Sequence, residues 1–250
     1  GLLYDPELND SFNIEEGLGL ARSILIKIAE MGMFAGTEFL DPIVPQYLAD
    51  LVSWGTIGAR TTESQIHRQM ASGLSMPIGF KNGTDGNTQI AVDAVTSCRS
   101  PHGFLGIDIN GQTSIIKTSG NPNGHLVLRG GASGPNYSAP YVEDAQEQLE
   151  AAGIVPNIII DCSHGNSNKD HRKQGVAFKD VVSQKAKGNS SIVGSMLEGN
   201  INEGNQKLTS DLNELAYGVS ITDACINWEE TTELLHWACE TLGETTPVKV

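Results

Sequence analysis

The sequence predicts an α/β fold of the TIM (β/α)8-barrel type, with barrel strands 3 to 8 present, the first two strands missing and one inserted β-hairpin. Three observations predict it. Short β-rich runs (AGTEFLD, TIGARTT, IGFKNG, LVLRGG, IIIDCSH, IVGSMLEG) alternate with helical patterns. The runs are apolar and mostly non-alternating, which suits parallel strands buried on both faces. Each closes on a charged or metal-ligating residue, namely Glu38, Arg60, Lys81, Arg129, the Asp161/His164 pair and Glu198. In barrels of this kind the C-terminal ends of the strands carry the chemistry. The chain of 250 residues suits a single, incomplete barrel domain over 1–250.

Asn13 followed by Glu16 predicts the start of a helix whose apolar positions are Leu18, Ala21, Leu25, Ile28 and Ala29, with Gly32 as its stop. MFAGTEFLD is the first strand. Pro45 opens a helix through Leu48, Leu51 and Val52, and TIGARTT leads into another from Ile66 to Met70. PIGFKNG precedes a helix through Ile90, Val92, Ala94 and Val95; LVLRGG precedes one from about Pro140 to Ala152. IIIDCSH is followed by a helix near Val176 to Ala186, and SIVGSMLEG by a polar loop and a last helix with Leu234, Leu235, Ala238 and Leu242. One insertion breaks this rhythm. FLGIDI and TSIIKTS flank Asn110-Gly111, a strong hairpin signal, and predict a ribbon over 104–117 outside the barrel.

A net charge of −14 argues against nucleic-acid and membrane-surface binding, both of which need a positive field. An anionic small molecule must then be met by local positive charge. Cys98, Cys162, Cys225 and Cys239 are irregularly spaced, so a reducing cytoplasm is expected rather than a disulfide framework. No apolar run approaches the roughly 20 residues of a membrane span, and the N-terminus lacks a secretory pattern.

His164, Glu198 and Asp223 are the candidate metal ligands, since an imidazole with two carboxylates suits a divalent first-row ion. Asp161 and His164 are three apart and face opposite ways on a strand unless the chain turns, which Ser163 and Gly165 allow. A hydrogen-bonded histidine at a strand end is the other reading. Cys162 and Cys225, each two residues from a candidate ligand, are possible further ligands or small buried hydrophobes. Arg60, Lys81 and Arg129 close three different strands and point to a doubly anionic small substrate. An ion network with Glu38, Asp161 and Glu198 is the alternative.

The blocks GTEFLDPIVPQYLADLVSWGTIGARTTESQIHRQMASGLSMPIGFKNGTDG, LVLRGG, PNYSA, IIIDCSHGNSNK, EGNQ and AYGVSITDACINWE closely resemble the microbial, aromatic-amino-acid-regulated type of 3-deoxy-D-arabino-heptulosonate-7-phosphate (DAHP) synthase, which opens the shikimate pathway. The resemblance implies a (β/α)8 barrel that condenses phosphoenolpyruvate with erythrose 4-phosphate and releases phosphate. It implies that His164, Glu198 and Asp223 are three of four ligands to a divalent ion (Mn, Fe, Co or Zn). The fourth family ligand, a cysteine, has no counterpart here, nor does a Lys-Pro-Arg-Thr segment that grips the sugar phosphate. It further implies that Ala59, Arg60, Lys81 and Arg129 hold phosphoenolpyruvate, that Lys81, Glu38 and His164 are catalytic, and that the protein forms a homo-oligomer, a dimer or tetramer. The hairpin resembles a regulatory extension that binds an aromatic amino acid. Ser75, Phe104 and Gly106 fall at that pocket, and the missing side chain at Gly106 favours tyrosine over phenylalanine. The competing expectation is a non-catalytic piece of such a synthase that keeps partial ligand or subunit contacts.

Overall fold

The computed structural model describes residues 1–108 and 110–243; Ile109, within the predicted hairpin, and residues 244–250 lie outside the described residues. The chain divides into two compact units, Gly1–Lys81 with Asp93–His125, and Asn82–Val92 with Leu126–Val250.

The first unit opens with α1 (Ile14–Glu30). Asn13 accepts a hydrogen bond from the Glu16 amide, capping the helix where the sequence predicts, and its side-chain NH2 rather than its backbone N–H donates to the Glu16 carboxylate at 2.8 Å. Gly32, with φ +72°, takes the left-handed position that ends the helix. Then follow β1 (Gly36–Glu38), α2 (Pro45–Leu48), β2 (Trp54–Ile57), α3 (Gln65–Ala71) and β3 (Ile78–Lys81). The strands pair in parallel, β1 with β2 and β2 with β3. After α4 (Gln89–Cys98), the antiparallel ribbon of β4 (Gly103–Ile107) and β5 (Thr113–Lys117) forms a separate two-stranded sheet. Its turn is organised by Asp108, whose carboxylate accepts the amides of Asn110 at 2.9 Å and Gln112 at 3.0 Å, while Gly111 supplies φ +76°.

β6 (Gly124–Leu128) leads into the second unit, which continues with α5 (Ala139–Ala151), β7 (Ile158–Asp161), α6 (Gln174–Ala186), β8 (Ile192–Met196) and α7 (Trp228–Gly243). β6 pairs with β7 and β7 with β8, all in parallel. Parallel strands alternating with helices make the fold α/β.

Burial follows the non-alternating pattern in the middle strands and departs from it elsewhere. Every residue of β3 and of β6 is buried. β1 and β8 instead alternate, and Val193 is 52% exposed. Ile57, Ile78, Phe80, Leu126, Leu128, Ile158 and Ile160 are essentially inaccessible, each contributing about 2 kcal/mol by burial. In α1 the apolar positions do not form a buried stripe. Only Gly17 is buried there, because a side chain would strike the Leu3 carbonyl. Among the described residues no helix is long and apolar enough to cross a membrane, and all four cysteines are free. Burial pushes the Cys98 thiol up to about 12.

Candidate functional site

In the first unit the strand ends are held mainly through backbone. Glu38 closes β1, and its carboxylate lies over Gly58, where any Cβ would collide with it. The loop after β2 folds back on itself: the Thr61 and Thr62 amides both donate to the Gly58 carbonyl at 3.0 Å. The Thr62 hydroxyl donates to the Lys81 carbonyl at 2.7 Å, tying that loop to the end of β3. The loop that carries Arg60 is thereby joined to the ends of β1 and β3. Lys81 is buried, whereas Arg60 and Glu38 are exposed and Ala59 is half-buried. Arg60 makes no ion pair among the described residues, so the expected alternative of a closed ion network does not describe it.

In the second unit the strand ends are locked by side-chain amides. Asn82 accepts the Arg129 amide at 2.8 Å and the Asn136 side-chain NH2 at 3.2 Å, and donates to the Gly130 carbonyl at 3.0 Å. Asn136 accepts from the Gly130 amide, and Asn166 accepts from the Asn136 amide, both at 2.7 Å. Asn166 also donates to the carbonyls of Asp161 and Leu128. All three asparagines are buried, where unpaired amides would be costly. They hold the loop after β6, with half-buried Arg129, against the loop after β7. Gly130 and Gly165 meet there so closely that a Cβ on either would strike the other's backbone.

His164 sits in that second loop with φ +51°, a left-handed conformation that is uncommon for a non-glycine residue. This is the turn needed to bring Asp161 and His164 together. The Asp161 carboxylate is buried and lies 2.9 Å from His164 Nδ1. Nε2 then faces the carboxylates of Glu198 at 3.6 Å and Asp223 at 3.7 Å. Glu198 follows β8. Fully buried Gln174 grips its backbone from both sides, accepting its amide at 2.7 Å and donating to its carbonyl at 3.1 Å. Ser163 donates to its carboxylate. Burial pushes the Glu198 carboxyl above the usual carboxylate range; the charges of Asp223 and Asp161 add to that, and Ser163 and His164 oppose it.

The trio fits a divalent ion. Ligand atoms about 2.1 Å from an ion at tetrahedral angles lie about 3.4 Å apart, close to the spacing of Nε2 from the two carboxylates. Among the described residues, His164, Glu198 and Asp223 are the group of this kind, with ligand atoms all within 4.8 Å of one another. The Asp161 carboxylate stands 2.9 Å behind Nδ1, the side on which a ligating imidazole is commonly supported, without the alignment of a hydrogen bond. Ser163, Lys169, His171 and Ala224 complete a cavity of about 40 Å³ around the trio. Cys162 is not part of it. Its thiol is buried, points at the Ile160 carbonyl and is held protonated by burial. Cys225 is likewise buried, its sulfur toward the Asp223 carbonyl and its thiol raised by burial.

The hairpin borders a second cavity in the first unit, of about 560 Å³, lined by Pro42, Ile43, Met70, Phe104, Gly106 and Ile116 among others. Phe104 and Gly106 both line this cavity. Ser75 does not line it; it is exposed in the turn before β3.

Sequence reasoning missed Asn82, Asn136, Asn166 and Gln174. Asn beside Gly or Pro reads as turn punctuation, and nothing in the sequence shows that these amides are buried.

Residues 1–236 match the family model described as the DAHP synthetase I family. The chain is 53% identical over 235 residues to the Tyr-sensitive phospho-2-dehydro-3-deoxyheptonate aldolase of Salmonella typhimurium, covering 94% of this chain and 66% of that one. It is 52% identical over 235 residues to the Phe-sensitive enzyme of Escherichia coli K12, covering 94% and 67%. A phospho-2-dehydro-3-deoxyheptonate aldolase structure from Francisella tularensis SCHU S4 superposes with a TM-score of 0.94 at 48% identity, over 99% of this chain and 72% of that one. The chain thus spans just under two thirds of the length of the first of these relatives. With the strand-end geometry and these matches together, the chain belongs to the DAHP synthetase I family.

Proposed function

We propose that the chain carries the metal-binding and phosphoenolpyruvate-binding parts of a DAHP synthase, which joins phosphoenolpyruvate to erythrose 4-phosphate with release of phosphate. The observation that carries this reading is the approach of Nε2 of His164 to Glu198 and Asp223 at 3.6 and 3.7 Å, in a chain whose residues 1–236 match the family. Its parallel strands correspond on this reading to strands 3 to 8 of a (β/α)8 barrel.

His164, Glu198 and Asp223 hold a divalent ion, Mn, Fe, Co or Zn. When bound, such an ion supplies Lewis acidity to an aldehyde oxygen. The guanidinium groups of Arg60 and Arg129 grip the phosphate and carboxylate of phosphoenolpyruvate bidentately, with Lys81 as a point charge and the Ala59 backbone as a further contact. These cations orient the substrate and offset the charge of the departing phosphate. Glu38 positions the water that attacks the substrate-derived cationic carbon.

Phosphate release from the two substrates, with Mn²⁺ and then with a chelator, tests this. Turnover that the chelator abolishes is expected. Absence of turnover at saturating substrate with every candidate ion, while the chain stays folded, would remove the catalytic reading of this chain.

The cavity beside the hairpin is proposed to bind an aromatic amino acid, with tyrosine favoured. The preference for tyrosine rests on the missing side chain at Gly106 alone, since a Cβ there would lie 2.7 Å from Ile116 Cγ1 and the space beside the glycine is taken up by Ile116. Identities of 53% and 52% to the Tyr- and Phe-sensitive relatives do not separate the two effectors. Stronger inhibition by phenylalanine than by tyrosine would reverse it. A homo-oligomer, dimer or tetramer, is part of the same proposal, and sedimentation would read it.

A further inference from the structure

We infer that His171 and Glu203 form a clasp that fixes Asp223 opposite His164 and so sets how tightly the trio holds a divalent ion. The affinity half rests on the metal reading given above. Glu198 is gripped from both sides by Gln174, but Asp223 lies on a long loop with a side chain that is 70% exposed, and no strand holds it. Its loop is tied to the segment after β8 at Ile226, whose amide donates to the Glu198 carbonyl at 3.0 Å, and Asp223 itself, three residues earlier, needs a further anchor. His171 Nε2 lies 2.8 Å from Glu203 Oε1, and the His171 side chain is only 16% exposed.

Each end of this pair leads back to one ligand. On one side, the Lys169 amide donates to the His164 carbonyl at 2.8 Å, with Asn168 and Lys169 both at positive φ, so the segment carrying His171 is folded back on His164. On the other, Glu203 precedes Gly204, whose amide donates to the Cys225 carbonyl at 2.9 Å and whose carbonyl accepts the Cys225 amide at 3.1 Å. The Asn205 side chain donates to the Thr222 carbonyl at 2.8 Å. Asp223 is therefore strung between two residues anchored to the segment that starts at Glu203. His171 also lines the cavity that the trio surrounds. A single contact to a half-exposed Glu203 adds little to global stability, so its effect is local.

The test uses Glu203→Ala and Glu203→Gln in the full chain. In metal-free protein, hydrogen exchange at the Gly204 and Cys225 amides is expected to be about three- to fivefold faster in Glu203→Ala, with the unfolding temperature little changed. Mn²⁺ affinity, read by calorimetry, is expected to fall about tenfold or more. Glu203→Gln keeps an oxygen toward His171 and should restore affinity to within about threefold of the parent. Unchanged exchange and unchanged affinity in Glu203→Ala would overturn the clasp. A parent chain that binds no Mn²⁺ would overturn the affinity half together with the metal reading, while the exchange rates still decide the clasp itself.

Discussion

Arg60 and Glu198 each come just after a parallel strand, yet they are held in opposite ways. Glu198 has its amide and carbonyl clamped by one buried glutamine and its carboxylate met by Ser163. Arg60 lies on a loop closed by its own backbone, and its side chain is exposed. The second unit fixes these atoms through side-chain amides, as a metal site would require on the proposed function. The first leaves Arg60 exposed, which on the proposed function suits a residue that closes on a substrate and releases it. Rigidity is supplied by buried amides, whose hydrogen bonds leave the native arrangement no equally satisfied neighbour.

That difference can be broken at several points. The largest effect is expected from Gly130→Ala. Its φ of +69° and its contact with Gly165 leave no room for a methyl group, so chemical denaturation should show a loss of about 3 kcal/mol or more. Gln174→Leu should cost about 2 kcal/mol, because the Glu198 amide and carbonyl lose their buried partner. It should also weaken Mn²⁺ binding about 10- to 100-fold. A Gln174→Leu variant that kept full ion affinity would show that Glu198 needs no clamp.

A smaller effect involves His125, in the first unit. Trp54 Nε1 donates to His125 Nε2 at 2.9 Å, and the rings stack with centroids 6.1 Å apart. Burial lowers the His125 pKa, partly offset by the bond to the Asn123 carbonyl. The folded state then takes up the proton less readily than the unfolded chain, whose histidine titrates near pH ~6.5. The contribution of His125 to stability is therefore full above that pH and is lost as pH falls below it, toward the lower folded value. Melting temperatures at pH 7.5 and 5.5 should diverge more for the parent than for His125→Asn. An equal drop in both proteins would remove His125 as the cause.

Least of all should Arg60→Ala disturb the fold. A change within about 0.5 kcal/mol is expected from an exposed residue without an ion-pair partner. On the proposed function the same change raises KM for phosphoenolpyruvate. A large loss of stability would mean that Arg60 is structural, and that the two units do not differ as described.

Much of this was legible from the sequence. Asn13, Glu16 and Gly32 bounded α1, because caps depend on neighbours within a few residues. β3 and β6 read as continuous apolar runs and are buried throughout. His164, Glu198 and Asp223 were chosen on their chemistry and their position after strands, and they do converge. The exposure of Val193 was not legible, since it depends on which surface a neighbouring element covers, whereas Cys162 is the small buried hydrophobe that one reading of the sequence expected.

The sequence by itself determined the alternation of strands and helices and the chemical types at their ends, because period, caps and residue chemistry are local properties. Only the tertiary structure decided that His164 turns through a left-handed backbone to face two carboxylates. It alone also decided that Asn82, Asn136, Asn166 and Gln174 are buried links rather than loop surface. Those outcomes come from hydrogen bonds between residues far apart in the chain, and burial gives such bonds their weight.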